Sequence, residues 1–173
     1  DEQGRPAAPE VPGEIWFETA TAFSYFNNAD KTREATSADG KMSTVGDVGY
    51  LKDDFLFLTD RSTFMIISGG VNIYPQETED LLITHPMLMD AAVFGVPNED
   101  LGEEVKAVIQ LVEGISADEH TSATLMAFCA DHLARHKCPR SIDYEAELPR
   151  LPTGKLYKRT LKDRYWHSHN SGI

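Results

Sequence analysis

Ile66-Ile67-Ser68-Gly69-Gly70-Val71-Asn72-Ile73-Tyr74-Pro75 lays out a strand, a turn, a second strand and the start of a helix in one short run. Phe64 to Ser68 and Val71 to Tyr74 are rich in β-branched and aromatic residues, which favour a pleated, half-buried surface. The Gly69-Gly70 step between them marks a reversal where a Cβ is expected to be in the way. Pro75 carries the fixed φ suited to a first helical position, and Glu77, Glu79 and Asp80 follow it near the positive helix end. The helix is predicted to run to about Thr84, where His85-Pro86 stops it.

The same alternation continues downstream. Ala91 to Pro97 reads as a strand capped by Asn98-Glu99-Asp100, with Val105 to Val112 as its partner in a sheet. Thr121 to His136 has apolar residues at helical spacing (Leu125, Phe128, Cys129, His132, Leu133). Ile142 to Tyr144 is a short strand, Leu156 to Tyr165 a basic helical run, and His167 to Ile173 a frayed end. Upstream, Gly4, Pro6, Pro9, Pro12 and Gly13 make a loop or linker. Glu14 to Glu18 is a strand candidate, Phe23 to Glu34 an aromatic, partly helical connection, and Val45 to Tyr50 a strand broken by two glycines. Phe55-Leu56-Phe57-Leu58-Thr59 is densely apolar and is expected to be buried on both faces. The first third is therefore β-rich with too few strands for a core of its own, and the whole chain reads as α+β.

Composition limits the function. The 173 residues suffice for one domain or two small units. A net charge of −12 argues against nucleic acid as a partner. No window approaches the roughly 18 apolar residues of a membrane span. Two cysteines, Cys129 and Cys138, are too few for a disulfide framework and suit a reducing cytoplasm. Cys129 fits a small core residue, and His132 and His136 read as two surface imidazoles in preference to metal ligands. The sequence opens on Asp-Glu-Gln-Gly-Arg-Pro, as the middle of a longer protein would. Charge is uneven: Arg135 to Arg164 holds nine of the sixteen basic residues and only four acidic ones. Such a segment suits either a solvated helical face or a small anionic ligand.

Within that segment lies Leu151-Pro152-Thr153-Gly154-Lys155. Pro152 restricts its neighbour, and Gly154 permits a backbone conformation that other residues avoid. Lys155 thus sits on a shaped loop that can hold an ammonium at a fixed point, where it can stabilise negative charge in a reaction.

Four motifs now stand in order: Gly46-Asp47-Val48-Gly49-Tyr50, Asp60-Arg61, Ile66 to Pro75, and Pro152-Thr153-Gly154-Lys155. Together they resemble the C-terminal part of the adenylate-forming enzymes, and most closely the fatty acyl-CoA synthetases, from about Gly13 to about Tyr165. The resemblance implies a ligase that activates a carboxylic acid with ATP to an acyl-adenylate, then transfers the acyl group to coenzyme A and releases AMP. It implies residues 1–60 as the β-rich end of a large N-terminal domain, 61–64 as a hinge, and 65–173 as a small mobile α+β domain with a short central sheet flanked by helices. The setting implied is cytoplasmic, with peripheral attachment to a membrane left open.

By the same resemblance, Asp47 accepts hydrogen bonds from both ribose hydroxyls of the adenylate, a match between two carboxylate oxygens and a cis-diol. Arg61 also contacts the ribose. Lys155 bridges the acid's carboxylate and the α-phosphate during adenylation. Ser68, Gly69 and Gly70 line the coenzyme A passage, and Thr63 is the hinge pivot. Lys137 and Arg140 stand where basic residues could meet coenzyme A phosphates. Two departures are visible. Phe64 replaces the aspartate that follows the pivot in many relatives, and Val45 replaces a threonine before Gly-Asp. No phosphate loop, magnesium-binding glutamate motif or acyl tunnel is recognisable, so ATP and Mg2+ are expected to be held mainly by an upstream large domain. The isolated chain is expected to be inactive. Two alternatives remain: an adenylating enzyme serving a carrier protein or oxidising its adenylate, and a non-catalytic binding module of the same fold.

Overall fold

The computed structural model describes residues 4–18, 21 and 23–170, with side chains described as far as 167. The chain divides into two compact units between Thr63 and Phe64.

The first unit contains β1 (Gly13–Glu14), β2 (Phe17–Glu18), α1 (Ala29–Glu34), β3 (Met42–Ser43), β4 (Asp47–Lys52) and β5 (Phe55–Arg61). The expected strand Glu14 to Glu18 is split in two: β1 pairs with β4 while β2 pairs with β3. The helical connection is confined to α1, which begins where Asn28 accepts a hydrogen bond from the Lys31 N–H at 3.0 Å. β4 and β5 form an antiparallel hairpin closed at Lys52 and Phe55. Asp53 and Asp54 make its turn at φ values of 49° and 65°, the left-handed pair that a right-twisted hairpin requires. Gly49 is needed for close approach, since a Cβ there would lie 2.4 Å from the Phe57 carbonyl oxygen.

Expected burial of Phe55 to Leu58 on both faces is wrong for this chain. Phe55 is 70% and Leu58 68% exposed. β5 is an edge strand of the three-stranded sheet β1-β4-β5, and the only ring stacked on it among the described residues is Tyr50 on Phe57. An apolar run shows that a strand wants to be covered; it does not show that the same segment of chain supplies the cover.

The second unit contains β6 (Ile66–Ser68), β7 (Val71–Ile73), α2 (Pro75–Leu82), β8 (Leu88–Asn98), β9 (Gly102–Leu111), α3 (Glu119–His132), β10 (Ser141–Tyr144) and α4 (Lys158–Asn170). β8 and β9 form a long antiparallel hairpin, β10 adds to β9 in parallel, and β6 meets β9 where Ser68 faces Gly102. The two-sided burial expected of β5 is found here. Along β8, Ala91 and Val93 enter one core with Ile66, Leu82, Ile109, Leu125 and Cys129, while Ala92, Phe94 and Val96 enter another with Leu148 and Leu161. α2 and α3 cover the first face and α4 the second, so the apolar run of β8 has partners on both sides. Each fully buried large side chain contributes about 1.5–3 kcal/mol.

Boundaries moved where local chemistry outweighed periodicity. α3 starts after Asp118, whose side chain accepts the Thr121 N–H at 2.8 Å, and ends at His132. His136 falls in a separate 3-10 turn, Arg135–Lys137, so the two histidines do not share a helix face. α4 starts two residues later than expected and continues to Asn170, past the predicted fraying point at His167. The remainder of that predicted frayed end, residues 171–173, lies outside the described residues. The Gly69-Gly70 turn is right, and the expected crowding holds at Gly69, where a Cβ would lie 3.3 Å from Leu101 Cδ2, but not at Gly70. Nothing lies within 4 Å of a Cβ built on Gly70; there it is φ that favours glycine, at 79°, and Gly69 too has a positive φ, of 56°.

Candidate functional site

Asp47 and Arg61 come together across the β4–β5 hairpin. From Lys52↔Phe55 to Gly49↔Leu58 the register is regular, and then it shifts so that Val48 faces Asp60 and Asp47 faces Arg61. Thr59 is the extra residue of this bulge; were it paired with Val48 in the regular register, Asp47 would face Asp60, a like charge. The Thr59 hydroxyl is buried with no hydrogen-bond partner among the described residues. Arg61 Nε donates to Asp47 Oδ1 at 3.1 Å. Asp60, the other acid beside the arginine, accepts the Arg61 backbone N–H instead.

The pair is half-exposed and is worth at most about 1 kcal/mol to stability. Its second carboxylate oxygen and the Arg61 Nη groups have no partner among the described residues, which leaves both acceptor and donors for a ligand. Gly46, at φ 79°, turns the chain into β4. Its carbonyl accepts from the Ser62 N–H and hydroxyl, and its N–H donates to the buried Thr44 hydroxyl at 3.0 Å. The sequence reading missed Thr44: it counted the hydroxyl lost at Val45 and not the one retained beside it.

Lys155 is held in the second unit by a three-residue hairpin loop. The Gly154 N–H donates to the Leu151 carbonyl at 2.8 Å and the Leu151 N–H to the Lys155 carbonyl at 2.9 Å, with Arg150 bridged to Leu156 below them. Pro152 occupies the second position of the turn, where its φ is already set, and Gly154 follows at φ 83°. The Lys155 side chain is exposed and has no carboxylate within ion-pair range among the described residues. Arg150 stabilises the loop further: Nη1 donates to the Gly154 carbonyl at 2.6 Å, and Nη2 pairs with the Asp90 carboxylate of β8. Neither residue stood out in the sequence, because the partners are sixty positions apart.

Ser68, Gly69 and Gly70 form the β6–β7 turn, docked by the Gly69 N–H on the Leu101 carbonyl at 2.8 Å. No hydrogen bond or ion pair among the described residues joins this turn to Lys155. Thr63 lies in the 3-10 turn Ser62–Phe64, at the division between the units. Phe64, the first residue of the second unit, packs its ring 4.6 Å from the Lys158 ammonium. Lys158 in turn pairs with Glu79 at 3.1 Å, both side chains being only 7% exposed. Glu79 also accepts the Val93 N–H at 2.6 Å. Glu79 thus does more than stand near the positive end of the helix, as its position in the sequence suggested.

Lys137 spends its charge on Glu77 at 2.6 Å, whereas Arg140 is exposed. Burial pushes the Cys129 thiol up to about 11, so it is a core residue rather than a nucleophile. Among the described residues there is no group of three or more His, Cys, Asp or Glu side chains that could hold a metal ion. None of the described helices is long and apolar enough to cross a membrane.

This architecture, an antiparallel hairpin carrying an Asp–Arg pair followed by a small α+β unit presenting a lysine on a glycine turn, is that of an adenylate-forming enzyme's C-terminal portion. Residues 77–155 match the AMP-binding enzyme C-terminal domain. The chain is 42% identical over 161 residues to a 2-succinylbenzoate–CoA ligase of Geobacillus kaustophilus, covering 92% of this chain and 32% of that protein. It is 35% identical over 171 residues to a long-chain-fatty-acid–CoA ligase of Bacillus subtilis, covering 98% and 30%. The structure of o-succinylbenzoate CoA synthetase (MenE) of Bacillus subtilis, in complex with its acyl-adenylate intermediate, superposes with a TM-score of 0.80 at 33% identity, covering 94% of this chain and 33% of that one. The chain belongs to the adenylate-forming acyl-CoA ligases, as their C-terminal region. It spans about a third of the length of the curated relatives it matches.

Proposed function

We propose that the chain serves an enzyme that joins a carboxylic acid to coenzyme A in two steps through an acyl-adenylate, with ATP giving AMP and pyrophosphate. The observation that carries this reading is the Lys155 turn: an exposed ammonium, unpaired among the described residues, on a hydrogen-bonded loop that ties down its backbone. In the first half-reaction a carboxylate oxygen attacks the α-phosphorus and pyrophosphate leaves. Lys155, bridging the attacking carboxylate and an α-phosphate oxygen, would bring two anions together and stabilise the charge between them. Asp47 and Arg61 would hold the ribose, the carboxylate by its two acceptor oxygens and the guanidinium by its unused donors.

In the second half-reaction the thiol of coenzyme A displaces AMP. Ser68-Gly69-Gly70 would line its approach, with side chains small enough to leave a passage, after a reorientation about the hinge at Thr63. In this reading residues 1–60 end a large adenylating domain, 61–64 are the hinge and 65–173 the mobile domain. Lys155 would then take no part in the second step. A cytoplasmic setting goes with this chemistry.

A fatty acid is the substrate favoured by resemblance to the long-chain ligase. A succinylbenzoate-like aromatic acid is the second reading, supported by the higher identity to that ligase. Carboxylate-dependent ATP–pyrophosphate exchange tests the proposal, run with dodecanoate and 2-succinylbenzoate on the full-length gene product and on this chain alone. Exchange in the full-length protein only, lost in Lys155→Ala, is the expected result. Exchange with neither acid across a wider carboxylate panel would leave a non-catalytic module, and exchange by the chain alone would place the ATP site within it.

A further inference from the structure

Residues Leu151 to Lys155 are all exposed, and nothing lies within 4 Å of a Cβ built on Gly154. The turn that presents Lys155 is therefore held by hydrogen bonds and not by packing. Two of them are internal to the loop, and they fix its shape without fixing its place on the domain. Leu156, packed against the core that contains Leu148 and Leu161, places the base of the hairpin, and the Gly154 carbonyl, in the peptide plane whose other end is the Lys155 nitrogen, ties down its tip. Its donor is Arg150 Nη1 at 2.6 Å, while Nη2 of the same guanidinium pairs with the Asp90 carboxylate. Asp90 lies in β8 opposite Gln110 of β9, beside the register shift near Leu88, with its side chain only 16% exposed. One planar fork thus ties the peptide before Lys155 to the longest hairpin of the unit.

We infer that Arg150, oriented by Asp90, is a positioning residue for Lys155 in the adenylation step. The inference rests on the assignment of Lys155 to that step. A guanidinium suits the task because it offers two donors in fixed geometry; a lysine in its place could satisfy Asp90 but not hold the Gly154 carbonyl in the same plane. Glycine at φ 83° can swing widely once that bond is gone. A displacement of about 1 Å at a catalytic group costs on the order of 10²-fold in rate.

The test uses the full-length gene product with whichever of dodecanoate or 2-succinylbenzoate supports exchange. Single-turnover adenylation and thioester formation from preformed acyl-adenylate are measured for Arg150→Ala, Arg150→Lys, Lys155→Ala and the Arg150→Ala/Lys155→Ala double variant. Both Arg150 variants are expected to lower the adenylation rate by roughly 10-fold or more, with KM for ATP within about 2-fold of wild type and thioester formation unchanged. Arg150→Lys should recover the thermal stability lost in Arg150→Ala without recovering the adenylation rate. In the Lys155→Ala background the Arg150 change should add no further loss.

Wild-type adenylation in Arg150→Ala beside a slow Lys155→Ala overturns the positioning role and leaves the Lys155 assignment standing. Wild-type adenylation in Lys155→Ala overturns both. A loss shared by the two half-reactions, or one that persists in full without Lys155, makes Arg150 merely structural and overturns the inference.

Discussion

Replacing Lys158 with methionine removes one half of the buried pair that ties α4 to α2. Lys158 and Glu79 stand 3.1 Å apart, each side chain 7% exposed, so the Glu79 carboxylate, which also accepts the Val93 N–H, would be left charged in the interior without its ammonium. Breaking a buried pair from one side costs about 3–5 kcal/mol. Loss of the contact between Lys158 and the Phe64 ring adds about 0.5–2 kcal/mol. A unit of this size has about 5–15 kcal/mol in total, so the single change should bring it close to unfolding at room temperature. Glu79→Gln together with Lys158→Met should recover most of the loss, because the amide oxygen still accepts from Val93 and no unpaired charge remains. Urea denaturation reads this directly. Trp166, whose indole donates to the Gly95 carbonyl at 3.1 Å, reports the second unit once Trp16 is changed to phenylalanine. A Lys158→Met shift below about 1 kcal/mol, or a double variant no more stable than the single one, would refute the assignment of that pair to the core.

Two further outcomes follow from single contacts. Gly49→Ala should disrupt the β4–β5 hairpin and cost roughly 1–3 kcal/mol in the first unit, read by Trp16 fluorescence on denaturation, since its Cβ would meet the Phe57 carbonyl oxygen at 2.4 Å. Burial alone would raise the Asp143 carboxyl, but hydrogen bonds from Tyr165 and Lys106, with the Lys106 charge, hold it below its ordinary 3.8. Its contribution to stability is therefore present above pH 3.8 and lost as pH falls through the lower folded value. Burial and the hydrogen bond to Asp143 raise the Tyr165 hydroxyl above its ordinary 10, so its contribution is present below pH 10 and lost as pH rises through the folded value. Thermal melts from pH 2 to 11 should show both limbs, and Tyr165→Phe should flatten the alkaline one; an unchanged alkaline limb would exclude the Asp143–Tyr165 contact as its source.

Where the sequence was legible, the signal was local. Ile66 to Pro75 names its own elements because β-branched residues, paired glycines and a helix-opening proline act within a few bonds. The Lys155 loop was equally readable, since Pro152 and Gly154 fix a turn type that the hydrogen bonds then display. Burial was not local. Phe55 to Leu58 and Ala91 to Val96 look alike as apolar runs, yet only β8 has helices of this chain on both faces. The Asp47–Arg61 contact depends on one extra residue, Thr59, in the β5 strand, and a bulge of that kind leaves no mark that composition reveals. Arg150 with Asp90 and Lys158 with Glu79 are joined by tertiary structure alone, which is why neither pair could be read from the sequence.

The central claim is that Lys155 serves the first half-reaction and not the second. In the full-length gene product, Lys155→Ala should slow carboxylate-dependent ATP–pyrophosphate exchange by roughly 10²-fold or more, by comparison with other electrostatic donors. The same variant should convert preformed acyl-adenylate and coenzyme A to thioester at the wild-type rate. Equal loss in both half-reactions, or full exchange without the lysine, would contradict the account.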